Sequence, residues 1–158
     1  MDRLIYPTNT PTCEWLRPGD FHRLTLPRPV VLINGAYDLC TNGHKQLIWQ
    51  ARMRASTLIC ALDSDDKVST EKGAGRPIMS WVERATAMGF MRCDYVVEIS
   101  NDEDMQRLMN YLKPDFRVVG QDYQGHATRF PDVKRLFVRR NDNSISTSKI
   151  IERCKLAL

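Results

Sequence analysis

From residue 30 onward the chain alternates between short apolar runs and longer stretches whose apolar residues recur at helical spacing. The runs at 30–33, 57–62, 95–99, 116–119 and 136–138 read as strands, and 45–53, 80–91, 102–112 and 146–156 as helices. A strand with no polar alternation must be buried on both faces, which a parallel sheet covered by helices provides. The pattern therefore predicts one α/β domain over residues 29–158, with a five-stranded parallel sheet and helices on both faces. A length of 158 residues suits one such core. Residues 1–28 are rich in proline (Pro7, Pro11, Pro18, Pro27). They read as an irregular N-terminal extension with one short helical turn at 13–16, pinned by Trp15 and Phe21.

A Rossmann-like sheet of this kind binds ligands beyond the carboxyl ends of its strands, where the strand order reverses. The polar clusters at 34–44, 63–76, 120–123 and 141–148 all fall there. In the first, Thr41 and His44 flank Asn42-Gly43 at a helix start, where free N–H groups and the positive dipole end attract an anion. His44 could be cationic beside a phosphate and steady charge that builds on it. An Asn-Gly turn with a capping Thr and a structural His would use the same residues. In the second cluster Lys72 and Arg76 flank Gly73-Ala74-Gly75, so two cations on a flexible loop can close over phosphates, or simply face solvent. Arg84, on the following helix, could face the same cleft. Asp122 and Tyr123 follow Gly120 and could hold a ribose or base. Ser146 and Thr147 open the last helix, where capping and phosphate binding are compatible.

Composition narrows the alternatives. The five cysteines have no close pair, so they read as reduced, mostly buried thiols rather than a disulfide framework or zinc site. Cys40 lies near the turn, but burial is its simpler reading. No apolar run could cross a bilayer, and residues 1–12 lack a signal-peptide layout, which points to the cytoplasm. A net charge of +4 suits small acidic substrates and would also suit nucleic acid. The basic residues Arg129, Lys134, Arg135, Arg139 and Arg140 motivate a non-catalytic nucleotide- or nucleic-acid-binding module as the second reading. Such a module has no need of Thr41, His44 and Lys72 in one cleft.

Asn34-Gly-Ala-Tyr-Asp38 followed by Thr41-Asn-Gly-His44 resembles the signature of the cytidylyltransferase-like nucleotidyltransferases. Residues 72–77, 92–97, 112–123 and 146–151 are similar, in order and spacing, to stretches of the nucleotidyltransferase domains of bacterial ADP-heptose synthases. Glycerol-3-phosphate cytidylyltransferases are more distant and share the Ile-Ser-Thr ending. The resemblance implies transfer of a nucleoside monophosphate from ATP or CTP to a sugar phosphate or polyol phosphate, with release of pyrophosphate. It further implies Mg²⁺ on the triphosphate, no protein metal site, no membrane and a homodimer. Carried over residue by residue, His44, Thr41 and Lys72 would be catalytic. Asn34, Gly35, Ala36, Tyr37, Gly43, His44, Gly120, Asp122, Tyr123, Ser146 and Thr147 would bind the nucleotide. Asp38, Lys72, Arg76 and Arg84 would bind the acceptor phosphate. Thr41 stands where the commoner motif has His, and Gln121 where heptose-type enzymes have Gly. The segment from Tyr123 to Leu136 is shorter than theirs, and no sugar-kinase domain is expected ahead of residue 30. These departures leave the base and the acceptor open, including a pantetheine-phosphate or flavin-type acceptor.

Overall fold

The computed structural model describes residues 13–139 and 145–157. Six strands form one parallel sheet: β1 (Glu14–Leu16), β2 (Val30–Gly35), β3 (Thr57–Asp63), β4 (Tyr95–Ile99), β5 (Phe116–Gly120) and β6 (Lys134–Val138), in the order β1-β4-β3-β2-β5-β6. The helices are α1 (Asn42–Arg52), α2 (Asp65–Lys72), α3 (Trp81–Phe90), α4 (Asp102–Leu112) and α5 (Thr147–Leu156). Alternate strand residues feed two cores. Val31, Ile33, Leu58, Cys60, Leu62 and Val96 pack with Ile48 and Ala51 of α1 and with Ala85 and Met88 of α3. Val30, Leu32, Ile59, Ala61 and Val97 pack with Leu108, Met109 and Leu112 of α4 and with Phe21. A sheet buried on both faces accounts for the unbroken apolar runs.

The strand order reverses beside β2: β3 and β4 build outward on one side, β5 and β6 on the other. The carboxyl ends of β2 and β5 therefore bound the crevice where an open parallel sheet takes its ligand.

Two sequence expectations need correction. The sheet has six strands, not five, because residues 14–16 are an edge strand rather than a helical turn. Glu14, Trp15 and Leu16 pair with Tyr95, Val96 and Val97. Trp15 and Leu16 serve opposite cores: Trp15 meets Trp81 edge-to-face at 5.0 Å, and Leu16 packs on the α4 side. Three residues are too few for periodicity to separate strand from turn. A 3₁₀ segment, Pro18–Arg23, then buries Phe21 against Tyr95. The second correction is α2, a helix where the sequence pattern assigned none. Val68 is its only buried residue, so no apolar stripe marks it. It is held by the Ser64 cap and by Lys67, whose ammonium lies 2.8 Å from both Asp63 and Glu71.

Candidate active site

The turn after β2 is the structural hinge of the site. Tyr37, Leu39 and Cys40 all adopt positive φ (49°, 58° and 28°), a conformation that side-chain-bearing residues hold only under constraint. The constraint centres on Asp38, which is 1% exposed. Its Oδ2 accepts from Arg76 Nε at 2.8 Å and from the Ile78 N–H at 2.9 Å, and its Oδ1 from the Met79 N–H at 3.0 Å. Its backbone carbonyl accepts from Thr147 Oγ1 at 2.8 Å. One residue thus ties together the turn, the Arg76 loop and the start of α5. Burial works to raise the Asp38 pKa, but the Ile78 and Met79 amides and the Arg76 guanidinium outweigh it and hold the carboxyl below its usual value.

Helix α1 begins at this turn with an unusual cap. The Thr41 N–H donates to His44 Nδ1 at 3.0 Å, so His44 fills the reciprocal role that Glu or Gln takes in a capping box. Because Nδ1 accepts that bond, the ring proton sits on Nε2 and the imidazole is neutral in this arrangement. The buried Tyr37 ring meets the imidazole edge-to-face at 5.3 Å and limits its rotation. The cap thus fixes the tautomer that leaves a donor on Nε2.

A cavity of about 380 Å³ opens over these elements. Asn34, Gly35, Ala36, Tyr37, Asp38, Thr41, His44, Lys72, Arg76, Gly120, Tyr123, Ser146 and Thr147 all line it. Gly43, Arg84 and Asp122 are not on its wall. Gly43 is buried in the first turn of α1, and Asp122 lies in the exposed 3₁₀ turn Gln121–Tyr123. Arg84, expected at the acceptor phosphate, is fully buried instead. Its Nη2 donates to Asp65 at 2.6 Å, Nη1 to the Ala36 carbonyl at 2.7 Å and Nε to the Met79 carbonyl at 3.1 Å. Ser146 caps α5 by accepting from the Lys149 N–H at 3.3 Å. Gly73 and Gly75 hold φ of 93° and 82°, which fits the loop between Lys72 and Arg76 to glycine.

A family model described as cytidylyltransferase-like matches residues 32–153, from the middle of β2 into α5. The chain belongs to the cytidylyltransferase-like family. Its relatives include the ADP-heptose synthases that the motifs resemble. The bifunctional protein HldE of Campylobacter jejuni (strain NCTC 11168) is 35% identical over 130 residues, covering 81% of this chain and 28% of that protein. HldE of Campylobacter curvus is 37% identical over 132 residues, with 81% and 28% covered. The chain thus spans a little over a quarter of the length of these relatives. Among solved structures, pantothenate synthetase from Thermus thermophilus matches with a TM-score of 0.63 at 13% identity, covering 89% of this chain and 70% of that one. A lipopolysaccharide core biosynthesis protein from Thermoplasma volcanium matches with 0.55 at 16% identity, covering 71% and 95%. At such identities these two show a shared fold.

Four further residues on the cavity wall escaped sequence reasoning: Asp63, Lys67, Glu71 and Arg117. Asp63 ends β3 and Lys67 and Glu71 lie on α2, where an acid-base-acid spacing of four was the available signal. Burial works to lower the Lys67 pKa, but its two carboxylate partners outweigh it and raise it. Arg117 interrupts an apolar strand, and its Nε donates to Asn34 Oδ1 at 3.0 Å. Among the described residues Lys72 has no carboxylate partner, whereas Arg76 is held by Asp38.

Burial raises the Cys40 thiol above its ordinary value, which makes it a poor nucleophile. All five cysteines are free: Cys60 and Cys93 are buried, Cys13 and Cys40 half-buried, Cys154 exposed. In the basic patch Arg129 pairs with Asp102, while Arg140 lies outside the described residues, as does Ser144 of the α5 cluster. No described helix is long and apolar enough to cross a membrane.

Proposed function

We propose that the chain transfers a nucleoside monophosphate from ATP or CTP to the phosphate of a sugar phosphate or polyol phosphate and releases pyrophosphate. The observation that carries this reading is the convergence of two helix starts (Thr41 and His44 on α1, Ser146 and Thr147 on α5) and of the Lys72–Arg76 loop on one cavity. Bare N–H groups, hydroxyls and cations around one space are what a triphosphate requires.

In this reading an oxygen of the acceptor phosphate attacks the α-phosphorus. A new P–O bond forms, the bond from the α-phosphorus to the bridging oxygen breaks, and pyrophosphate leaves with that electron pair. The attacking phosphate is already anionic near neutral pH, so no general base is needed. Catalysis then rests on positioning and charge stabilisation. His44 donates from Nε2 to an α-phosphoryl oxygen as its charge grows. Lys72, at the hinge of a glycine-bearing loop and without a carboxylate partner among the described residues, follows charge to the departing pyrophosphate. Arg76 stays tethered to Asp38 and fixes the loop that carries Lys72.

The donor set suits a magnesium ion carried on the triphosphate rather than one caged by protein. Among the described residues no group of three or more His, Cys, Asp or Glu side chains is placed to hold a metal ion, and Mg²⁺ ordinarily keeps waters and phosphate oxygens as ligands. Asp63 and Glu71, both on the cavity wall and both paired with Lys67, are the carboxylates that would face it, and the ion would neutralise phosphate charge.

A pyrophosphate-release screen of ATP and CTP against sugar phosphates and polyol phosphates, alongside calorimetric nucleotide binding, tests the proposal. Turnover with at least one pair is expected. No turnover together with no nucleotide binding would overturn it.

A further inference from the structure

A second cavity, of about 460 Å³, adjoins the first and shares Asn34, Asp63, Lys67, Arg117, Val119 and Tyr123 with it. A molecule that reacts in the first can therefore extend into the second. The wall of the second carries four permanent cations: Lys67, Arg117, Arg129 and Arg135. Two are neutralised, Lys67 by Asp63 and Glu71, and Arg129 by Asp102.

The other two are not. Arg117 and Arg135 are register partners on the neighbouring strands β5 and β6, so their side chains leave the same face of the sheet. Among the described residues Arg117 bonds only the neutral Asn34 amide oxygen, and its guanidinium lies 5.9 Å from the Phe130 ring centre. Arg135 donates to the His126 carbonyl at 3.0 Å and lies 5.3 Å from the Phe137 ring centre. Among the described residues neither meets a carboxylate. Like charges directly opposite each other weaken a sheet. Burial, and then the charge of Arg135, pull the Arg117 pKa below its ordinary value, so the pair stands at an electrostatic cost in the free protein. An anion between two guanidinium forks removes that cost and gains charge-assisted, bidentate bonds. Asn101, Glu103 and Gln106 on the same wall offer acceptors for hydroxyls.

We propose that Arg117 and Arg135 form a seat for a second acidic group on the acceptor, a carboxylate or phosphate distinct from the phosphate that attacks. The acceptor class is then a sugar or polyol phosphate that is also an acid. The word acceptor rests on the transferase reading; the anion seat itself rests on the arginine pair.

The test is calorimetric binding of three probes to the full chain: a hexose 1-phosphate, a hexose 1,6-bisphosphate and a hexuronic acid 1-phosphate. Each is titrated into wild type, Arg117→Gln and Arg135→Gln, with and without a non-hydrolysable nucleotide. Wild type is expected to bind at least one diacid about tenfold more tightly than the monophosphate. The bisphosphate arm and the uronate arm tell a phosphate seat from a carboxylate seat. In each variant the ratio should fall to within about twofold of unity. Arg135→Gln, which removes a like-charge neighbour from a half-exposed position, should melt no lower than wild type. If wild type shows no preference for either diacid or binds none of the probes, or if the variants keep the preference, the seat is refuted. Pyrophosphate release and nucleotide binding, followed in parallel, report on the transferase reading independently.

Discussion

Arg84 and Arg117 both brace the end of β2, and they do opposite work there. Arg84 spends its guanidinium on protein acceptors: the Ala36 carbonyl, the Met79 carbonyl and Asp65. It is fully buried. Among the described residues Arg117 bonds one neutral amide oxygen on Asn34, lies over the Phe130 ring and lines two cavities. At a sheet edge that handles anions, the partners a cation already has separate a brace from a ligand more sharply than its position in sequence does. The same distinction divides Arg76, held by Asp38, from Lys72, which has no carboxylate partner among the described residues.

The largest consequence falls on the brace. Arg84→Met should cost about 3 kcal/mol in urea unfolding, because the half-buried Ala36 and Met79 carbonyls and Asp65 lose a charged donor. Arg117→Met should cost less than about 1 kcal/mol on the same assay, since only one bond to a neutral amide is lost. Equal costs would erase the contrast.

Asp38→Asn comes next, at about 2 kcal/mol near pH 7, through loss of charge-assisted bonds to Arg76, Ile78 and Met79. Its folded pKa lies below the unfolded value, which is close to 4. A depressed acid contributes stability that is fully present above the unfolded pKa and is lost as pH falls toward the folded one. Wild type should therefore lose its advantage over Asp38→Asn as unfolding is measured from pH 5 down to pH 3. A gap that stays constant with pH would remove the charge from the explanation.

The smallest effect belongs to Thr147→Val, which removes the hydroxyl bond that ties α5 to the Asp38 carbonyl. About 1 kcal/mol of stability should go, with a rise in nucleotide KM larger than any fall in kcat. A KM equal to wild type would mean that the start of α5 is fixed by other contacts.

How far the sequence reached follows from the same physics. Helix α4, with its acidic first turn, Asn101 cap and Pro114 stop, was legible to its end residues, 102–112. The four central strands were legible because burial on both faces leaves an unbroken apolar run. Strand β1 is too short to show a period, and α2 buries only Val68, so neither left a hydrophobic signature. At the site, residues joined by local chemistry were found: Thr41 with His44, Lys72 with Arg76, Ser146 with Thr147. Arg84 was misplaced and Arg117 overlooked because their roles depend on partners far away in sequence, on Ala36 and Asn34, which no local pattern encodes.

The central claim is that the His44 imidazole, fixed by its bond from the Thr41 N–H, steadies charge on a transferred phosphoryl group. His44→Ala tests it most directly, by pyrophosphate release with the best nucleotide and acceptor pair, with folding checked by melting. The account expects kcat to fall at least about a hundredfold while nucleotide affinity changes by less than tenfold. A folded His44→Ala variant that turns over at the wild-type rate would contradict it.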